Sequence, residues 1–217
     1  MLLDFSYEKK LISQGYKIIA GVDEVGRGPL AGPVTACAVH VTQVRPVYEL
    51  RDSKRLSFKK REEFYNFFIK EAKINWAVSS IYPKVIDRIN IFEATKLATK
   101  RAVLKLERKI GEVAGLIILD GKTKINLQRE QVPIIKGDEK IALCAIASII
   151  AKVTRDRAML RYHKKFPEYR FDLHKGYGTK LHFVMLRKHG PSPIHRMSFN
   201  PLSKGRYIDY QYAVNQP

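Results

Sequence analysis

The chain has 217 residues, with 40 Lys and Arg against 21 Asp and Glu, a formal net charge of +19 at pH 7. With 45% hydrophobic and 28% charged residues it can bury a full core, which excludes a disordered polymer. No run approaches the roughly 18 apolar residues of a membrane span, and the positive excess points to a polyanionic partner, nucleic acid above all.

In chain order, Met1-Leu2-Leu3-Asp4-Phe5-Ser6-Tyr7-Glu8 carries early acids and no signal-peptide pattern, so a cytoplasmic protein is expected. Residues 1–16 read as a short helix. Ile18-Ile19-Ala20-Gly21-Val22 reads as a buried strand. Asp23 and Glu24 stand at its C-terminal end, and Gly26, Gly28 and Pro29 stop regular structure just after them. Val34-Thr35-Ala36-Cys37-Ala38-Val39-His40-Val41 follows Gly32-Pro33 so closely that antiparallel pairing with the first strand is natural. Asp52 or Ser53 brackets a turn. Ser57 is placed to cap a helix over 58–73 that carries Phe64, Phe67 and Phe68 on one side.

Asn75-Trp76-Ala77-Val78-Ser79-Ser80-Ile81 is a third strand, and Pro83 breaks the chain before two helical segments, 84–89 and 91–109. The second should bury Phe92, Ala94, Leu97, Ala98, Ala102, Val103 and Leu106. Lys96, Lys100, Arg101, Lys105, Arg108 and Lys109 on its outer face suit a solvated surface and a phosphate-facing one equally. Gly115-Leu116-Ile117-Ile118-Leu119-Asp120-Gly121 repeats the first theme, an apolar strand ending in Asp then Gly, and the helix before it predicts a parallel arrangement. Val132-Pro133-Ile134-Ile135 is a fifth strand, running into Lys136-Gly137-Asp138-Glu139 and an apolar helix over 139–160 for which Asp138 could be the N-cap. Its Ala142, Ala145, Ala147, Ser148 and Ala151 predict close packing on the sheet. Cys37 and Cys144 lie in apolar segments without metal-type spacing and read as buried free thiols. The last fifty residues read as helices and loops rather than a separate core.

Asp23, Glu24, Asp120 and Asp138 each fall at a strand end or helix start, and in an open α/β sheet such ends can converge where ligands bind. A cluster of carboxylates needs compensation to stay ionised. Oxygen-only ligands call for hard cations, Mg²⁺ or Mn²⁺ rather than Zn²⁺. Two such ions about 4 Å apart would hold both the attacking and the leaving oxygen of a phosphodiester. An acidic pit in a basic chain therefore argues for metal-dependent phosphodiester cleavage. The motifs of nucleoside-triphosphate binding and of serine hydrolases are missing. A non-catalytic nucleic-acid-binding protein would explain the charge but not four acids at element ends.

The run Ala20-Gly21-Val22-Asp23-Glu24-Val25-Gly26-Arg27-Gly28-Pro29 resembles that of ribonuclease HII, the bacterial type 2 ribonuclease H. So do Asp52-Ser53-Lys54, Leu119-Asp120-Gly121, Lys136-Gly137-Asp138, the stretch Ala147 to Asp156, His174-Lys175-Gly176-Tyr177 and His195-Arg196-Met197-Ser198-Phe199. The resemblance spans residues 17–201. It implies a ribonuclease H-like α/β fold, a five-stranded mixed sheet flanked by helices with a helical C-terminal region. Residues 1–160 would form the catalytic domain and 161–217 an extension packed on it. It implies cleavage of the RNA strand of RNA–DNA hybrids, and of DNA containing ribonucleotides, leaving 3′-hydroxyl and 5′-phosphate ends. Asp23, Glu24, Asp120 and Asp138 would be catalytic and hold two divalent cations, Mn²⁺ or Mg²⁺, with Asp23 bridging both. Gly26, Arg27, Gly28 and Tyr177 would read the ribonucleotide 2′-hydroxyl, with Lys54 on a phosphate. His174 and His195 are expected to make structural hydrogen bonds, and Asp52, Asp156 and Asp172 to be caps or ion-pair partners. No obligate protein partner is expected, and the chain should be a monomer. Ribonuclease HIII usually has Gly-Thr-Gly at the Gly26-Arg27-Gly28 position and an extra N-terminal domain, for which 16 residues leave no room; both favour type HII.

Overall fold

The computed structural model describes residues 4–43 and 56–205, so Lys54, Asp52 and Ser53 lie outside the described residues. β1 (Ile19–Val25) and β2 (Val34–Val41) pair antiparallel, and β3 (Ile74–Ile81) adds antiparallel to β2. β4 (Leu116–Asp120) lies parallel to β1 on its other side, and β5 (Glu130–Ile134) lies parallel to β4. The sheet order is β3-β2-β1-β4-β5. A parallel partner for β1 requires a crossover, which α3 (Pro83–Ile110) supplies. Among the described residues no helix is long and apolar enough to cross a membrane.

Strand alternation divides β1 between two cores. Ile19 packs with α5 (Ala142–Lys165) on one face, while Ala20 and Val22 pack with α3 on the other. Asp23 continues the α5 face and Glu24 the α3 face. The small residues of α5 bring it close to the sheet: a Cβ on Gly21 would meet the Leu143 carbonyl carbon at 2.7 Å and the Cys144 nitrogen at 2.9 Å. Both are backbone atoms. Gly21→Ala is therefore expected to cost about 1–3 kcal/mol of stability or more. An unchanged unfolding midpoint for this variant would show that α5 can move away freely.

Ser57 caps α2 (Phe58–Lys70) as read, accepting from the Lys60 amide at 3.2 Å. Phe68 is buried and Phe64 packs against the same core, but Phe67 is exposed, so the three phenylalanines do not share one buried face. The two helical segments expected after Pro83 are present within Pro83–Ile110, separated at Asn90, whose backbone is non-helical with φ 64° and ψ 168° and whose side chain accepts from the Phe92 and Glu93 amides. Asn90 thereby caps the second helix. Ala94, Ala98, Ala102, Val103 and Leu106 are buried as expected; Phe92 is not, at 43% exposure.

The helix expected over 139–160 is two helices. α4 (Gly137–Lys140) ends at Ile141, which is extended, and α5 starts afresh at Ala142. The restart is fixed from a distance: Glu8, on α1 (Ser6–Ser13), accepts from the Leu143 amide at 2.9 Å and so caps α5. Asp138 lies inside α4 and is not an N-cap; Lys136 precedes that helix in the left-handed region. α5 runs unbroken through residue 160 to Lys165. Beyond it come the short helices α6 (Phe171–His174) and α7 (Lys180–His189). Tyr169, Phe171, Leu186, Ile194 and Leu202 join Met159 in a third cluster that seats this region on Leu30 and Ala31, in the β1–β2 connection.

Candidate active site

The register of β1 and β4 pairs Val22 with Leu119, so the next step sets Asp23 beside Asp120. Equivalent positions on neighbouring parallel strands face the same way. Both acids therefore point to the α5 side, where α4 delivers Asp138. One carboxylate oxygen from each of Asp23, Asp120 and Asp138 lies within 4.8 Å of the others. Asp138 is fully buried. The Asp120 carboxylate accepts from the Gly137 amide at 2.7 Å, which seats α4 against the end of β4. Asp23 accepts from the Glu24 amide at 2.7 Å and is held by the Ser148 side chain of α5. Burial first, then the charges of Glu24 and Asp120, raise the Asp23 carboxyl well above the usual carboxylate range.

Glu24 stands outside this group because consecutive strand residues face opposite sides. It lies toward α3 and pairs with Arg27 at 3.3 Å. Burial raises its pKa, and Arg27 opposes that shift. Glu24 nonetheless reaches the shared rim. A cavity of about 260 Å³ is lined by Asp23, Glu24, Asp120, Arg61, Ser148, Lys152 and Tyr177. A larger cavity of about 470 Å³, lined by Phe5, Glu8, Tyr16 and His40, opens at the opposite end of β1 and holds no acidic group of this kind. Asp23, Glu24 and Asp120 open onto the smaller one.

Beside the acids the chain turns sharply at Gly26, where φ is +91° and a Cβ would run into Arg155 and the Pro33 carbonyl. Only glycine fits there without strain. Tyr177, 42% exposed, faces this turn across the cavity mouth: a Cβ on Gly28 would lie 3.9 Å from its ring. Two buried arginines hold the two loops together. Arg155 donates to the carbonyls of Pro33 at 3.0 Å and Lys175 at 3.1 Å, and its guanidinium lies 5.7 Å from the Tyr177 ring centre. Arg196 donates to the carbonyls of Gly26 at 2.6 Å and of Arg27 and Gly32 at 3.0 Å each. Burial lowers its pKa to about 9, which leaves it charged at neutral pH.

Behind Tyr177 three buried histidines cluster, His174 stacked on His182 and His195 tilted against it. His182 Nδ1 lies 2.9 Å from the Tyr177 carbonyl, an acceptor only, so that nitrogen donates. Its Nε2 then accepts from His195 Nε2 at 2.9 Å, and His195 Nδ1 accepts from the Ser192 amide at 2.8 Å. Burial, then neighbouring imidazoles, lower His182 to about 3, and burial chiefly lowers His195 to about 4, so both rings are neutral at pH 7. His174 bonds the Tyr169 carbonyl at 2.8 Å. The structural role expected of His174 and His195 is what the geometry shows.

The sequence model of ribonuclease HII matches residues 20–202. The chain belongs to the ribonuclease HII family. It is 46% identical over 200 residues to the ribonuclease HII of Endomicrobium trichonymphae, covering 92% of this chain and 93% of that one. It is 49% identical over 197 residues to that of Caldicellulosiruptor bescii, covering 90% and 92%. Among solved structures it resembles the ribonuclease HII of Archaeoglobus fulgidus, determined in complex with PCNA, with a TM-score of 0.71 at 26% identity, covering 84% of this chain and 95% of that one. A ribonuclease HIII solved with Mn²⁺ shares the fold, with a TM-score of 0.71 at 18% identity over 90% of this chain and 71% of that one. As a ribonuclease HII, the chain is a type 2 ribonuclease H, a hydrolase acting as an endoribonuclease.

For this ribonuclease HII the structure unites Asp23, Asp120 and Asp138, places Glu24 on the rim, and sets Gly28 and Tyr177 face to face. Lys54 lies outside the described residues. Asp156 pairs with Lys152 at 2.8 Å, and Asp172 with His163 at 3.2 Å and Arg170 at 3.3 Å. On the outer face of α3, Lys105 donates to the Val78 carbonyl and Lys96 pairs with Glu93, as on a solvated face. Residues to which the sequence reading gave no role at the site are Arg61, Ser148 and Lys152 at the cavity and Arg155 and Arg196 beneath it. Each arginine reads as one more cation among 40, and only its depth sets it apart.

Proposed function

We propose that the chain cleaves the RNA strand of RNA–DNA hybrids and nicks duplex DNA on the 5′ side of an embedded ribonucleotide, acting as a monomer and leaving 3′-hydroxyl and 5′-phosphate ends. One observation carries the reading: Asp23, Asp120 and Asp138 come within 4.8 Å of one another, and Asp23 and Asp120 line, with Glu24, a cavity shared with Tyr177, at the strand end that turns into Gly26-Arg27-Gly28. Their oxygen-only donor set and the raised pKa of Asp23 suit a hard divalent cation, Mn²⁺ or Mg²⁺, whose charge offsets the crowding. In this reading Asp23, Asp120 and Asp138, with Glu24 at the rim, would hold the ions. When bound, such ions supply Lewis acidity to the phosphodiester and to the attacking water.

The residues themselves do the rest. Ser148 and the Glu24 amide orient Asp23, and the Gly137 amide orients Asp120. Gly26, Arg27 and Gly28 bring backbone against the sugar, and Tyr177 stacks on it and offers its hydroxyl. The 2′-hydroxyl is the group that separates RNA from DNA at that point. Lys54, Lys152 and Arg61 supply positive charge for phosphates, part of the sequence-independent affinity that a chain of net charge +19 brings. The test is an end-labelled duplex carrying one ribonucleotide, incubated with Mn²⁺ or Mg²⁺. The expected product is a single nick 5′ to the ribonucleotide; nicks elsewhere, or none, would overturn the assignment.

A further inference from the structure

The peptide planes of the Gly26-Arg27-Gly28 turn have a definite facing. Both the Gly26 and the Arg27 carbonyl accept from the buried Arg196 guanidinium, at 2.6 Å and 3.0 Å. These peptide bonds are trans. In a trans peptide the carbonyl and the following N–H point in opposite directions. The amides of Arg27 and Gly28 are thus aimed away from Arg196, and both residues are exposed while Arg196 is buried. Two N–H donors therefore stand side by side at the end of the strand that carries Asp23.

Arg196 is itself pinned. Its own amide donates to the Leu30 carbonyl at 2.8 Å, and its Nε to the Gly32 carbonyl at 3.0 Å. Just after it, the Met197 and Ser198 amides each donate to Asp87 of α3 at 3.0 Å. Just before it, His195 is fixed by His182 and Ser192. The guanidinium fork is presented at a set height, and a planar fork can take two neighbouring carbonyls where a single ammonium cannot.

We propose that Arg196 is a positioning residue for ribonucleotide discrimination: by holding both carbonyls of the turn inward, it aims the Arg27 and Gly28 amides at an acceptor on the substrate sugar, the 2′-hydroxyl oxygen. This rests on the reading of the turn as the 2′-hydroxyl reader. A deoxynucleotide has no acceptor there and leaves the two donors unanswered.

Arg196→Lys keeps the charge and loses the fork. On a one-ribonucleotide duplex its single-turnover rate should fall by about 10²-fold, the scale of a misplaced contact. Its affinity for the duplex and the rise in its unfolding midpoint with Mn²⁺ should stay at wild-type values, which loss of folding would not allow. A wild-type rate in this variant would overturn the proposal. A second measurement needs no variant. In metal-free buffer, the Arg27 and Gly28 amide resonances of the wild-type protein should shift and exchange more slowly with the one-ribonucleotide duplex but not with all-DNA of the same sequence. Equal responses to both duplexes would mean that the turn does not read the 2′-hydroxyl at all. A ribonucleotide-specific response that persists unchanged in Arg196→Lys would leave the reader in place and remove Arg196 from it.

Discussion

Asp23→Asn and Asp120→Asn are each expected to abolish cleavage, lowering the single-turnover rate by roughly 10³-fold or more, while leaving the fold and most duplex affinity intact. The two carboxylates lie side by side across β1 and β4, and an amide keeps the shape but removes the charge that a divalent ion needs. Stability should move the other way in the metal-free protein. The Asp23 carboxyl is raised well above 3.8 in the fold, first by burial and then by Glu24 and Asp120. Below pH 3.8 it is protonated in both folded and unfolded chains and contributes no difference. As pH rises, the unfolded chain releases its proton first, so the folded state loses stability until the pH passes the raised folded value. Asp23→Asn removes that penalty. Its unfolding midpoint should exceed that of the wild type at pH 7, with the gap closing toward about pH 4. Mn²⁺ should raise the wild-type midpoint and not that of either variant. Near-wild-type turnover in either variant, or an equal Mn²⁺ response, would remove these acids from the site.

The next largest effect is substrate choice. A duplex with one ribonucleotide should be nicked at least about 10⁴-fold faster than an all-DNA duplex of identical sequence, a ratio within reach of a site built to hydrogen-bond one hydroxyl. The two duplexes differ by one oxygen, and both should bind through their phosphates. Tyr177 faces the turn across the cavity mouth. Tyr177→Ala should slow the ribonucleotide nick by about 10- to 100-fold, the worth of one aromatic contact of about 1–3 kcal/mol, and weaken binding by less. Tyr177→Phe keeps the ring and isolates the contribution of the hydroxyl. Single-turnover rates on both duplexes decide the matter. Comparable cutting of all-DNA, or full activity in Tyr177→Ala, would show that the 2′-hydroxyl is read elsewhere.

Much of this was legible in the residues alone. The apolar runs that end in Asp23 and in Asp120-Gly121 announced two strand ends, and the small residues of α5 announced its close approach. What escaped was set by contacts remote in sequence. Ile141-Ala142-Leu143-Cys144 contains no helix breaker, yet the helix restarts there because Glu8 caps it from another element. Phe92 sits on the helical stripe of α3 yet is 43% exposed, because periodicity gives the face of a helix and not how far along it the core extends. Asp23 and Glu24 look like a pair in the sequence, but a strand separates neighbours onto opposite faces. Arg155 and Arg196 gave no local sign of burial, because a buried guanidinium is paid for by backbone carbonyls of a loop far away in the chain.

The strand order also bears on how the protein comes together. β1, β2 and β3 form a meander, pairing antiparallel in chain order with partners closer in sequence than those of β1 and β4, and β4 and α4 reach β1 only after the long crossover of α3. Asp23 belongs to the first part, and Asp120 and Asp138 to the second. Any partly folded chain that has only the meander holds Asp23 and Glu24 but lacks Asp120 and Asp138, so its ion site is incomplete. A divalent cation can therefore act as a latch on the finished sheet and not as a template for its assembly, so it should lengthen the lifetime of the folded state without hastening its formation.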